Sequence, residues 1–482
     1  MATGLPRPLS PSWLSPPPAS HPFFRDLPRS RRRRQGPKAE SRSPTSHSRA
    51  GGDRKSRLAD GQTSAEAASQ LFDGMSPAKR LNSAPQLIAT DRIGALPDNI
   101  LHHMLSFLPA QAAVRTCVLA HRWRHLWRST TGLRIGGLDD EESVHVQDIR
   151  KFVDHLLILR ERTDLDTVEI KFHEFLGDDE PYVNLWIRFA VMNKVRVLTL
   201  HNYDDDYLYL HNLPLGSRYL RTLDLDGIGL EETFLDFAGC PLLETLSLDT
   251  CHISGRKISS PSLKHLSITI CSSDLDCRIR VAAPVLVSLI LDDFSGLTPF
   301  LENMPLLETA NLYIGSKCKD VCLKYDSGVF CGANNNTCEN CVPTSDSYGS
   351  DCVLLGGISS AKRLVLKSKF GQFIFSRDLK HCPTFSKLKF LLLDGYWCEA
   401  PDLDPLSRIL KNSPVLEELT LVNFRKGQNP KVEMKGSYSS MKRSPAISEH
   451  LKIVEVKCNV LDEKILKVLR FLSAFNIRFS FH

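Results

Sequence analysis

No apolar run in this 482-residue chain approaches the roughly 18 residues needed to cross a bilayer, so no membrane-spanning helix is expected and the protein reads as soluble. A secretory signal is missing as well: Pro16, Pro17 and Pro18 interrupt the mildly apolar opening, and no apolar core follows a basic start. Without that signal the 14 cysteines read as reduced thiols, many of them small core residues, not as a disulfide framework. Signatures of catalysis are also absent. The chain has no Gly-rich phosphate loop, no H-E-x-x-H and no G-x-S-x-G. His121 and His125 fall in a helical stretch and read as surface residues. Neither an enzyme nor a bound cofactor is expected.

Acidic residues are scarce in one place only. Residues 1–90 hold 15 Lys/Arg against 6 Asp/Glu, a net of +9, which leaves a net of −3 for residues 91–482. The whole-chain charge of +6 therefore describes a tail, and it gives no reason to expect the remainder to bind nucleic acid. That tail carries 12 of the 28 prolines and shows neither strand alternation nor a sustained apolar helical face, so it reads as disordered. Its cationic knot, Arg29, Arg31, Arg32, Arg33, Arg34 and Lys38, is compatible with a nuclear-import signal, a weak nucleic-acid contact, a transit peptide or a plain solvated tail. The rest of the sequence differs in kind. With 42% hydrophobic and 24% charged residues the chain can bury a core, which excludes a wholly disordered or collagen-like protein. The length suits about two to four domains or one long repeat array.

The first compact signal spans residues 91–127. Pro97 suits the first turn of a helix, and Asp98 is favourable near the positive end of its dipole. Ile100, Leu101, Met104, Leu105 and Leu108 then form one apolar stripe, which Pro109 stops. Val114, Cys117, Val118, Trp123, Leu126 and Trp127 make a second apolar face flanked by arginines. Some forty residues in two or three short helices cannot bury all of this alone, so leftover apolar surface implies a partner.

These residues resemble an F-box of the type common in plant proteins. The resemblance runs through Asp91, Arg92, Ile93, Leu96, Pro97, Asp98, Ile100, Leu101, Met104, Leu105, Leu108, Pro109, Val114, Thr116, Val118, Leu119, Arg122, Trp123, Leu126 and Trp127. It departs from the usual pattern at Ala110-Gln111 and Ala120. The resemblance implies docking onto a Skp-type adaptor and, through it, a cullin ubiquitin ligase. Leu96, Pro97, Ile100, Leu101, Leu105, Leu108, Val118, Trp123 and Leu126 are the residues expected to supply the F-box core and the adaptor contact.

From residue 165 on, the phrase L-x-x-L-x-L recurs: LRTLDL from Leu220, LETLSL from Leu243, LKHLSI from Leu263, LVSLIL from Leu286, LKFLLL from Leu388 and LEELTL from Leu416. Weaker copies start at Val195, Leu307, Ala361 and Leu451. Successive intervals of 23, 20, 23 and 21 residues fall within the range of leucine-rich repeats. Each phrase reads as a short strand with alternate side chains in the core. Cys251 and Cys271 occupy the next buried slot of the pattern, so they read as structural. Prolines 241, 261, 284, 305 and 414 punctuate the strand entrances. This punctuation looks like the F-box/leucine-rich-repeat proteins of plants. A curved solenoid with a parallel sheet on its partner-binding face is what that implies.

The residues following each L-x-L, expected to face solvent, are His201, Asp226, Asp249, Thr269, Asp292, Tyr313, Lys367, Asp394 and Val422. Asp226, Asp249 and Asp292 are candidates for an acidic column that binds a basic target segment; the alternative is that each Asp caps the turn leaving its strand.

Between repeats lies a Gly/Asn/Ser-rich insertion, 316–358, with Cys318, Cys322, Cys331, Cys338, Cys341 and Cys352. Cys338 and Cys341 form a C-x-x-C half-site that Cys318 and Cys322, or Cys331, would complete for zinc; reduced thiols in a loop are the favoured reading, and no metal is expected. The end of the chain reads strand, helix, strand and is similar to an FBD-type tail, for which capping the last repeat is the economical role.

The expected fold class is therefore α/β: a disordered tail (1–90), a short helical F-box (91–131), a curved leucine-rich-repeat solenoid with parallel strands (132–430) and an FBD-like cap (431–482). The resemblance implies a non-catalytic substrate-recognition subunit of an SCF-type (Skp-cullin-F-box) ubiquitin ligase in the nucleus and/or cytoplasm. Its partners are a Skp-type adaptor, a cullin and an unknown protein target, with no membrane and no nucleic acid. The other reading is a Skp-bound scaffold or regulator that never directs ubiquitination.

Overall fold

The computed structural model describes residues 93–137, 144–210, 215–320, 352–368, 373–395, 404–423 and 448–458, together with Val468, Leu472 and residues 478–481. The basic tail, most of the cysteine-rich insertion and most of the C-terminal region lie outside them. Among the described residues no helix is long and apolar enough to cross a membrane.

Among the described residues two helices come first, α1 (Asp98–Leu105) and α2 (Ala110–Arg115), followed by three short 3-10 turns ending at Ser129. Each helix starts directly after a proline with extended ψ: Pro97 stands at the N-cap of α1, one residue earlier than the sequence suggested, and Pro109 at that of α2. Asp98 thereby takes the first helical position, where a carboxylate faces unsatisfied N–H groups.

Among the described residues, the rest is built on one sheet of thirteen strands, each paired to its predecessor and parallel to it. Every L-x-x-L-x-L phrase contributes one strand, but the strand starts two residues after the first leucine: Thr222–Asp226 after Leu220, Thr245–Asp249 after Leu243, His265–Thr269 after Leu263, Ser288–Asp292 after Leu286. The expectation that the whole phrase is strand needs this correction, and the reason is geometric. The first and second leucines are three apart, an odd number, so a continuous strand would put them on opposite faces. A turn before the strand resolves the conflict. The Leu243 N–H donates to the Cys240 carbonyl at 3.1 Å, and Leu243, Leu246 and Leu248 all become fully buried. The prolines sit in these turns, exposed, with the strand starting four residues on.

Two early strands follow the same rule with other apolar residues. Thr167–Phe172 starts two residues after the buried Leu165 and buries Val168, Ile170 and Phe172, while Gly132–Gly136 buries Leu133 and Ile135. Between the first strands the chain returns through real helices, α3 (Val146–Leu159) and α4 (Glu180–Met192), which the repeat pattern did not predict. The returns between strands 197–202 and 309–314 are partly extended, and helices reappear at Phe373–Asp378 and Asp404–Lys411. The extended returns form two three-stranded parallel sheets, one of 208–209, 228–230 and 252–253 and one of 257–259, 280–282 and 300–301. Cys251 and Cys271 are fully buried, their thiols donating to the Leu225 and Leu248 carbonyls at 3.5 and 3.4 Å. Burial and the neighbouring Cys271 push the Cys251 thiol well up, which leaves it inert.

Residues 352–358 pack into this ladder. The buried Asp378 carboxylate accepts the N–H groups of Val353, Leu354 and Leu355 at 3.0, 2.7 and 3.0 Å, and Leu354, Leu355 and Ile358 have no exposed surface. On the other side of the insertion, buried Asp320 accepts from the Thr298 N–H at 2.8 Å and pairs with Arg278.

Candidate functional site

The apolar stripe of α1 is two stripes. Leu101 and Leu105 turn inward and pack with Trp123, Leu126 and Trp127, all under a tenth exposed. Ile100, Met104 and Leu108 lie on the other side, 42%, 44% and 38% exposed, beside Phe107 at 56%. Val118 and Leu119 in the following turn are 82% and 66% exposed, and Ile93 is exposed as well. Of the nine residues expected here, Leu101, Leu105, Trp123 and Leu126 form the core and Leu96 leans on it, while Pro97, Ile100, Leu108 and Val118 face out. Met104, Phe107, Leu119 and Ile93 share the outward position but were not among the nine. The i, i+4, i+8 spacing of 100, 104 and 108 was the signal for a separate face.

Arg122 holds this segment's shape. Its guanidinium reaches back to the start of α1, donating to Asp98 at 2.9 Å and to the carbonyls of Gly94 and Leu96. The segment is also fastened to the strand ladder. Arg160, just after α3, donates to the Trp127 carbonyl at 3.3 Å, the Thr130 hydroxyl at 3.0 Å and the Thr130 carbonyl. These acceptors are uncharged, and burial lowers the Arg160 pKa to about 10. Nearby, Gly132 lies so close to Ser106 that any side chain would collide with that backbone.

The second expected site lies on the outward face of the sheet. Strand register puts Lys171, His201, Asp226, Asp249, Thr269, Asp292, Tyr313, Lys367 and Asp394 in one row. Asp226 and Asp249 are neighbours, whereas Thr269 separates Asp292 from them, so the three aspartates do not form an unbroken column. Val422 at the end of the row is buried, contrary to its expected solvent-facing position. The turns leaving these strands use left-handed backbone at Gly227, Thr250, Ile270, Asp293 and Gly395. Asp226 takes part in one of them, accepting from the Thr250 hydroxyl, whose oxygen also receives the Gly227 N–H at 3.1 Å. Asp249 is different. One of its carboxylate oxygens is buried with no hydrogen-bond partner, and burial together with Asp226 pushes its pKa up. Beside them Asp224 is held low by His201, whose Nε2 lies 3.1 Å away.

Of the zinc candidates, Cys318 is described and Cys322, Cys338 and Cys341 lie outside the described residues. Burial raises the Cys318 thiol to about 11, and its sulfur sits 3.4 Å from the Thr298 hydroxyl and 3.3 Å from Asp320. Among the described residues, no group of three or more His, Cys, Asp or Glu is placed to hold a metal ion.

No protein-family model matches the chain. Individual relatives do. An FBD-associated F-box protein of Arabidopsis thaliana is 28% identical over 374 residues, covering 69% of this chain and 78% of that protein. An F-box/FBD/LRR-repeat protein of the same plant is 28% identical over 354 residues, covering 72% of this chain and 80% of that protein. The motif at 91–127, the one-strand-per-repeat parallel ladder and these alignments agree: this chain is a relative of the plant F-box/leucine-rich-repeat proteins that carry an FBD region.

Proposed function

We propose that the chain is the substrate-recognition subunit of an SCF-type ubiquitin ligase. Residues 91–131 act as an F-box that docks a Skp-type adaptor and through it a cullin, and the repeats act as a curved solenoid that captures a protein target in the nucleus and/or cytoplasm. The observation carrying the proposal is the outward apolar face of Ile100, Met104, Phe107, Leu108, Val118 and Leu119, concentrated within some twenty residues. Such a patch is characteristic of a protein interface, and large side chains at its centre supply most of the binding energy. Catalysis is not required of this chain. It brings a target close to chemistry performed elsewhere in the complex, a proximity effect.

Co-purification with a Skp-type adaptor tests the first half. Val118→Asp and Met104→Asp should abolish it while leaving the thermal transition in place, since neither side chain is in the core. Retained adaptor binding in both variants would sink the docking face. Accumulation of the target when the chain is lost distinguishes a ubiquitin-ligase receptor from a Skp-bound scaffold.

A further inference from the structure

The outward face of the sheet changes character along the ladder, and strand register makes the change readable. Four consecutive strands, 222–226, 245–249, 265–269 and 288–292, present Asp224, Asp226, Asp249 and Asp292 outward, and no lysine or arginine at all. The middle row of these strands runs Asp224, Ser247, Ser267, Ile290. Two small hydroxyl residues thus form a low floor, with a carboxylate on one side and a large apolar side chain on the other. Ile290 is 37% exposed in the middle of an otherwise polar run. The same row continues through the polar Asn311 to Val365 and Leu392, both half-buried, so one polar strand position separates Ile290 from the next apolar pair.

We propose that this face takes an extended segment of the target lying across the strands, with a lysine or arginine over Ser247 and Ser267 between Asp224, Asp226 and Asp249, and an apolar side chain on Ile290. The proposal rests on the reading that the chain captures a protein target, and it adds the target's chemical class. Charge complementarity selects the basic residue. Asp224 pairs with His201 at 3.1 Å, which leaves Asp226, Asp249 and Asp292 as the uncompensated carboxylates on strands that present no lysine or arginine outward. Spacing follows from geometry. Neighbouring strands lie about 4.8 Å apart, so the two strand steps from Asp249 to the strand of Ile290 span about 10 Å, or about three residues of extended chain.

Panning a displayed library of random peptides of about twelve residues on the full-length chain tests this, with the enriched peptides then titrated against variants. Enrichment of Lys or Arg about three residues from an apolar residue is the expected result. The pair Asp226→Asn and Asp249→Asn should weaken an enriched peptide by about tenfold or more, as the loss of a charge-assisted contact does. Ile290→Ser should erase the apolar preference and leave the basic one. All three positions lie outside the core, and a second approach, Ser267→Lys, fills the floor with a competing cation without removing any native carboxylate. No enrichment, enriched peptides without a basic residue, or titrations unchanged in the aspartate variant would each overturn the proposal. Adaptor co-purification is read separately: its loss sinks the F-box reading and leaves the peptide result standing.

Discussion

The helical segment from Ile93 to Ser129 and the strand ladder after it treat their apolar residues in opposite ways. In the ladder the leucines of each phrase stack on those of the next repeat and disappear from solvent, so that Leu223, Leu246, Leu266 and Leu289 are all 2% exposed or less. In the helical segment Leu101, Leu105, Trp123, Leu126 and Trp127 are buried, yet seven other large apolar side chains, from Ile93 to Leu119, remain outside. The ladder completes its own core because every repeat has a neighbour. The helical segment is too short to enclose its apolar residues, and on the proposed role an adaptor covers them. Stability and binding should therefore separate by region.

The sharpest test substitutes one apolar residue in each. Leu248→Ala empties a fully buried ladder position and should lower stability by about 2–5 kcal/mol, read as a shifted urea midpoint, because the cavity adds to the lost transfer energy. Val118→Asp should change stability by no more than about 0.5 kcal/mol and remove adaptor binding. A large stability loss from Val118→Asp would collapse the distinction. Next in size, Asp378→Ala leaves three buried N–H groups without an acceptor and should destabilise by about 1–3 kcal/mol. Hydrogen exchange should then report opening at residues 353–355 before the strands at 245–249.

Smaller effects separate the two kinds of aspartate on the sheet. The folded-state pKa of Asp224 is lowered, so its stabilisation is present above the unfolded value and lost as pH falls through the folded one. Asp249 is raised. The folded state holds its proton more tightly, so falling pH through that window stabilises, and the ionised form costs stability at neutral pH. Melting curves from about pH 4 to 7 should show Asp224→Asn destabilising near pH 7 and Asp249→Asn neutral or stabilising there. Equal effects of the two would show that the His201 contact does not set Asp224 apart from Asp249.

Much of this fold was legible in residue spacing. The phrases located ten of the thirteen strands, and the buried slots of Cys251 and Cys271 followed from the repeat position alone. The missed strand at 167–172 carries the same spacing from Leu165 with Val168 and Ile170 in place of leucine, the same kind of replacement that the copy from Leu451 tolerates. Helices α3 and α4 were missed because repeat spacing describes the strands and says nothing of what fills the return. At the candidate sites, the sequence offered three aspartates as one column, and strand register showed that Thr269 interrupts them. The sequence did not show that one Asp249 oxygen is buried without a partner while Asp226 accepts from Thr250, since that depends on a turn contributed by the next repeat. The two faces of α1 were merged into one because adjacent positions such as Ile100 and Leu101 differ only by the side on which the core happens to lie.

The Arg160 clasp has a consequence for reach. A guanidinium tied to Trp127 and Thr130, with Gly132 pressed on Ser106, makes the junction between the first helices and the ladder a stiff joint. On the proposed role, a stiff joint turns the chain into a ruler. The separation between a seated adaptor and a captured segment becomes a constant of the fold, and a target would be modified only on lysines that fall at that radius, however many it exposes.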